Sequence, residues 1–164
     1  MIGSPTKEAI NNPNFKKFIG LRNIVTDKNK WSYLLLYELD GHDENKLEQV
    51  LDVYNRIPIS FICYKTKGGF HFVGLTPLNS QQWGSWLDRL QKRVPEYYAG
   101  NTLRVSLKEE EKQELIGYVL RYPYIESLAK IYFRRFDIKQ NVIPVYGEMP
   151  EYSCVFEKYW TTKI

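Results

Sequence analysis

Thiolate-metal and disulfide chemistry have little to work with in this chain. It holds two histidines and two cysteines in 164 residues. Cys63 and Cys154 lie far apart and lack the paired spacing of a zinc site. Cys63 sits inside an apolar run and reads as a buried thiol, which fits a reducing compartment. No stretch approaches the roughly 20 apolar residues of a membrane span. The N-terminus lacks the apolar run of a signal peptide. The expectation is a cytoplasmic protein, in a cell or an infected host cell, without a membrane partner. One-sided charge is also missing: 23 Lys and Arg stand against 19 Asp and Glu, a net +4. That excludes a histone-like binder and permits a local basic groove. The sequence has no internal repeat, no low-complexity tract and no evident protein nucleophile.

Aromatic residues are plentiful, with 13 Tyr, 8 Phe and 4 Trp. Hydrophobic residues make up 43% and charged residues 26%, so a packed core can form and disorder is not expected. The length suits a single domain.

Residues 1–30 are polar and punctuated by Pro5, Pro13 and Gly20, and read as a lead-in with one short helix near Lys7–Phe18. From Trp31 the pattern sharpens. Trp31–Asp40 has the solid apolar centre of a central strand. Asp40 or Asp43 can cap the next element. Leu47, Val50, Leu51 and Tyr54 recur at helical spacing over Glu44–Arg56, and Ile57-Pro58 ends that helix. Ile59–Tyr64 and Phe70–Leu75 are strands joined by a Gly- and Lys-rich turn, a β-hairpin. Asn79 or Ser80 caps a helix over Gln81–Val94 with Trp83, Trp86, Leu87 and Leu90 on one face. Thr102–Leu107 is a fourth strand.

The order β-α-β-β-α-β predicts an α+β fold. It is a split βαβ sheet of the ferredoxin or RNA-recognition type, with two helices on one face. Right-handed crossovers leave the other face open. This core spans residues 31–108. Residues 109–164 read as a mixed C-terminal extension packed on it: a polar helix over Glu109–Leu120, helix or strand over Tyr122–Phe136, and short strands at Ile143–Tyr146 and Tyr152–Phe156.

Three segments carry candidate chemistry. Glu38 and Asp40 are two apart on a strand, so both carboxylates share a face. Held that close they repel unless a cation or proton lies between them. Hard oxygen ligands suit Mg²⁺ or Mn²⁺, although acidic residues also mark strand exits. Next, Lys65-Thr66-Lys67-Gly68-Gly69 combines glycines that let backbone amides approach a ligand with two lysines and a hydroxyl. His71 follows on the strand. An ordinary basic hairpin turn explains the same residues. Finally, Arg104, Ser106 and Lys108 share one face of their strand, which suits phosphates or a solvated edge. In the expected topology Glu38, Asp40 and His71 come together on the open face.

YELD (Tyr37–Asp40) followed by TKGGFH (Thr66–His71) resembles the catalytic core of the archaeo-eukaryotic primase superfamily, the primase-polymerases. Glu38 stands where that family usually has its first aspartate. The resemblance covers residues 31 to 108. It implies metal-dependent nucleotidyl transfer on a DNA template in replication. Glu38, Asp40 and a later acidic residue, matched by Asp137, would hold two divalent ions, Mg²⁺ or Mn²⁺. His71, Lys65, Thr66, Lys67, Gly68, Gly69, Arg104, Ser106 and Lys108 would grip a nucleoside triphosphate. Single-stranded or primed DNA and a replication partner protein are the implied partners. Two other readings use the same topology. One is a catalytically inactive nucleic-acid binder, stacking bases on Tyr33, Tyr37 or Tyr64. The other, ranked last, is a replication-initiation endonuclease, which needs two histidines flanking one residue where this strand supplies His71 alone.

Overall fold

The computed structural model describes residues 15–27, 30–94, 102–105, 113–139 and 155–161. It is an α+β protein with antiparallel sheets, and the described residues include three helices. In chain order the elements are β1 (Phe15–Arg22), β2 (Ile24–Asp27), β3 (Lys30–Tyr33), β4 (Leu36–Asp40), α1 (Glu44–Arg56), β5 (Phe61–Lys65), β6 (Gly69–Gly74), α2 (Ser80–Arg93), β7 (Thr102–Val105), β8 (Glu114–Val119), α3 (Glu126–Phe136) and β9 (Val155–Thr161). Among the described residues no helix is long and apolar enough to cross a membrane.

The main sheet has the order β4-β6-β5-β8. Its first three strands are the first, third and second strands expected from sequence, with the first and third adjacent. The fourth position differs. β7 pairs with β1, and β9 flanks β1 on its other side, in a separate three-stranded sheet. β7 comes close to β4 but makes no ladder with it. The free edge beside β5 is taken instead by β8.

β8 corrects the polar helix expected over Glu109–Leu120. Glu114, Ile116 and Tyr118 are exposed while Leu115, Gly117 and Val119 are half-buried, a period of two. Pairing with β5 decides the matter: the open edge of β5 offers ladder partners that an isolated polar helix would lack. Likewise Phe15–Arg22 is a strand where the sequence suggested part of a helix. Residues 1–14, Ile143–Tyr146 and Cys154 lie outside the described residues.

The long strand read over Trp31–Asp40 is two strands. β3 pairs with β2, and Tyr33 bridges Leu78. Leu34 N–H still donates to the Asn23 carbonyl at 2.7 Å, and at Leu35 the backbone changes partner, its carbonyl accepting from Gly74 N–H at 3.0 Å. The side chains keep alternating through the break, Leu34 and Leu36 to one face and Leu35 and Tyr37 to the other.

α1 and α2 cover the second of those faces. Leu47, Val50 and Tyr54 of α1 and Leu90 of α2 pack on Leu35, Tyr37, Leu39, Phe70 and Phe72, with Trp83 and Trp86 half-buried against them. The helix caps are chemical. Asp43 accepts from the N–H groups of Asn45 and Lys46, and Asn79 forms a capping box with Gln82. The other face does not stay open as the sequence suggested. α3 lays Leu128, Ala129, Tyr132 and Phe133 over Leu36, Ile62, Tyr64 and Val73. It leaves Glu38 and Asp40 exposed at one end.

Candidate functional site

The β4–β6 register sets Glu38 directly opposite His71 and Asp40 opposite Gly69. The β5–β6 register sets Tyr64 opposite His71 on its other side. Glu38, His71 and Tyr64 therefore form a row across three strands, on the face that α3 partly covers. His71 is buried. Its Nδ1 lies 3.1 Å from the Tyr64 hydroxyl, and its Nε2 lies 3.5 Å from Glu38 Oε1. With Tyr64 donating to Nδ1, the ring proton sits on Nε2, facing the carboxylate. The Glu38 side chain remains half-exposed, so this carboxylate meets solvent on one side and the histidine on the other.

The row continues beneath α3. The rings of Tyr64 and Tyr132 lie 5.6 Å apart, and the Phe136 ring lies tilted against Tyr64 at 5.3 Å. Burial pushes the Tyr64 phenol well above its ordinary value, and the neighbouring Tyr132 and Glu38 push it further. Burial likewise raises Tyr132 to about 12, with nearby Arg135 opposing. Arg135 stands over the Tyr132 ring and donates to Gln113 Oε1 at 2.6 Å. Both phenols therefore stay protonated at neutral pH. Tyr64→Phe leaves the buried His71 Nδ1 without its partner, and should cost about 1–3 kcal/mol in a urea unfolding experiment. Tyr132→Phe removes a buried hydroxyl whose polar neighbour is the Tyr64 hydroxyl, and should cost less than Tyr64→Phe.

The hairpin turn is tied up internally. Thr66 N–H and its hydroxyl both donate to the Gly69 carbonyl, at 2.7 and 3.2 Å, and Thr66 Oγ1 accepts from Gly69 N–H at 3.1 Å. Gly41 N–H donates to the Gly68 carbonyl at 2.7 Å. His42 Nε2 contacts the Thr66 carbonyl at 2.9 Å and its ring meets Phe70 edge-on, tying the start of α1 to the turn. Gly69 is a packing glycine: a Cβ there would run into the Leu39 carbonyl oxygen. The Thr66 hydroxyl and the Gly69 amide thus serve the turn itself. Lys67 and Gly68 form the exposed tip of the turn, and Lys65 is half-buried.

The remaining candidates are placed less favourably. Arg104 belongs to β7, opposite Gly20 of β1, outside the sheet that carries Glu38. Ser106 and Lys108 lie outside the described residues. Asp43 is engaged as the α1 cap. Asp137 ends α3 in a left-handed conformation, φ 52° and ψ 42°, and is exposed. Among the described residues no three His, Cys, Asp or Glu side chains converge into a metal-holding group, so Asp137 is not gathered with Glu38 and Asp40. Tyr37 and Tyr64 are fully buried and Tyr33 is stacked on Trp83, which removes all three as exposed base-stacking platforms. Sequence reading had no part for Tyr132, Arg135 or His42. Only their three-dimensional neighbours mark them.

Comparison of the chain with protein-family models, with curated proteins and with solved structures finds no match.

Proposed function

We propose that the chain performs metal-dependent nucleotidyl transfer on a DNA template, of the primase-polymerase type. The reaction would take place at the sheet end where Glu38, Asp40, His71 and the Lys65–Gly69 turn meet. The supporting observation is the β4–β6 register, which aligns Glu38 with His71 and Asp40 with Gly69. A carboxylate pair, a buried histidine and a lysine-bearing turn thereby share one sheet end.

Glu38 and Asp40 fit one hard cation, since Mg²⁺ is commonly held by one or two carboxylates, with waters and substrate phosphates completing its shell. A bound cation would supply neutralisation of phosphate charge and activation of an attacking hydroxyl. The chain's own contributions are distinct. Tyr64 fixes the His71 ring, and His71 Nε2 orients the Glu38 carboxylate. Lys67 at the turn tip brings positive charge to a triphosphate. A nucleoside triphosphate and single-stranded or primed DNA are the substrates of this reading, and cytoplasmic replication with a partner protein is its setting.

Primer extension and de novo synthesis assays with Mn²⁺ and Mg²⁺ test it. Glu38 replaces the usual aspartate of such sites, and its longer arm displaces the ligand by a methylene. Weak activity is therefore expected, greater with Mn²⁺. Asp40→Ala and His71→Ala should each lower it by about a hundredfold, the scale of a misplaced reacting group. Product that survives both substitutions would move the activity away from this site.

A second reading is nucleic-acid binding without catalysis. It draws on the exposed Asp137, which is not clustered with the carboxylate pair. No product under any condition, with DNA binding retained, would select it.

A further inference from the structure

On the opposite side of the main sheet, α1 and α2 enclose a cleft of about 270 Å³ lined by Val53, Arg56, Trp86, Arg89, Lys92 and Arg93. Four of its six lining residues are cations, and the other two form an apolar floor. Asp52 accepts from Arg56 at 3.1 Å and from Arg93 at 3.2 Å, so one carboxylate holds two guanidiniums and clasps α1 to α2. Lys92 pairs with Asp88 at 2.9 Å. Arg89 pairs with no carboxylate among the described residues; its guanidinium carbon lies over the Trp86 ring, 4.7 Å from its centre. Four cations thus face two acids, which leaves the cleft positive. Arg56, Lys92 and Arg93 stand in last helical turns, where cations also complement the helix dipole. Arg89 lies further inside α2, so the dipole does not account for it.

We infer that this cleft binds one nucleotide unit, its phosphate held by Arg89, Lys92 and the Asp52-clasped guanidiniums, and its flat base against Trp86 and Val53. The volume is slightly below that of drug-sized pockets and suits one small ligand. Guanidinium and indole both offer planar faces to a base, and arginine is suited to phosphate oxygens. The unit is either a free nucleotide or one residue of a single strand, since both present the same phosphate and ring. This site is independent of the Glu38–His71 row, which lies on the other face of the sheet.

The test is binding of two probes, ATP by calorimetry and a fluorescent oligothymidylate by anisotropy, to the whole chain and to an Arg89→Ala, Lys92→Ala variant. Both residues are exposed and lie outside the Asp52 clasp, so the fold should persist, which circular dichroism checks. Each measurement is repeated in a chain carrying Asp40→Asn and Lys67→Ala, so that loss at the other site is read separately. The double variant should weaken at least one probe about tenfold, and for the strand the salt slope should fall by about one unit per lost phosphate contact. Weakening of ATP identifies the free nucleotide, and weakening of the oligonucleotide alone identifies the strand. Unchanged affinity for both probes would overturn the site. Inorganic triphosphate that competes as well as ATP would overturn the role of the base.

Discussion

Gly69→Ala should destabilise the protein by about 3 kcal/mol or more, or prevent folding, while Gly68→Ala should stay within about 0.5 kcal/mol of wild type. The two glycines are adjacent in sequence and differ in what surrounds them. Gly69 is buried opposite Asp40 in the β4–β6 ladder. An added Cβ would run into the Leu39 carbonyl oxygen and stand 3.1 Å from the Asp40 Cα. Backbone atoms of a paired strand cannot swing aside as a side chain can. Relief requires β4 and β6 to separate at the point that aligns Glu38 with His71. At Gly68 a Cβ would meet nothing within 4 Å. Urea denaturation of both variants measures the difference. A wild-type midpoint for Gly69→Ala would show that strand packing does not demand glycine there, and would return the residue to a ligand-binding role.

Stability should fall steeply in alkali, beginning near pH 9. Burial raises the Cys63 thiol from 9.0 to about 12 and the Tyr132 phenol from 10.0 to about 12. Tyr64 and Tyr54 are also raised well above 10.0, burial being the first cause in each. All four are neutral when protonated, and the folded state holds that form. Below pH 9 both folded and unfolded chains keep these protons, and the stability is fully present. Above it the unfolded chain releases first Cys63 and then the tyrosines while the folded chain retains them. Stability therefore drops as pH rises from about 9 towards about 12. For Cys63 alone the rise from 9.0 to about 12 corresponds to about 4 kcal/mol at the upper end, comparable with the lower end of whole-domain stability. Unfolding midpoints at several pH values test this. In Cys63→Ala the decline should be shallower by one proton. A midpoint that stays level from about pH 8 to 11 would mean that these groups ionise within the folded protein.

Much of the central architecture was legible in the sequence because it is encoded locally. The alternation in Phe70–Leu75, the helical spacing of Leu47, Val50 and Tyr54, and the Gly-Lys turn each report on a few neighbouring residues. Those signals suffice for α1, α2 and the β5–β6 hairpin. The adjacency of β4 and β6 followed from the order of elements and the handedness of their connections. Even the shared face of Glu38, Asp40 and His71 followed, since period-two geometry fixes which way each side chain points.

What failed was non-local. Whether Thr102–Val105 joins the edge at β4 or pairs with Phe15–Arg22 depends on segments far apart in the chain. So does the choice between helix and strand for Glu114–Val119, where the polar run at 109–114 argued wrongly for a helix. Local pattern specifies the elements of the helix–hairpin core and the row of residues that can meet across it. How much of that row is accessible depends on packing between distant segments. α3 descends on the face opposite α1 and α2, buries Tyr64 and His71, and leaves Glu38 and Asp40 in solvent. The physical reason is that burial of α3's apolar side, Leu128, Tyr132 and Phe133, needs a complementary surface, and Leu36, Ile62, Tyr64 and Val73 supply it.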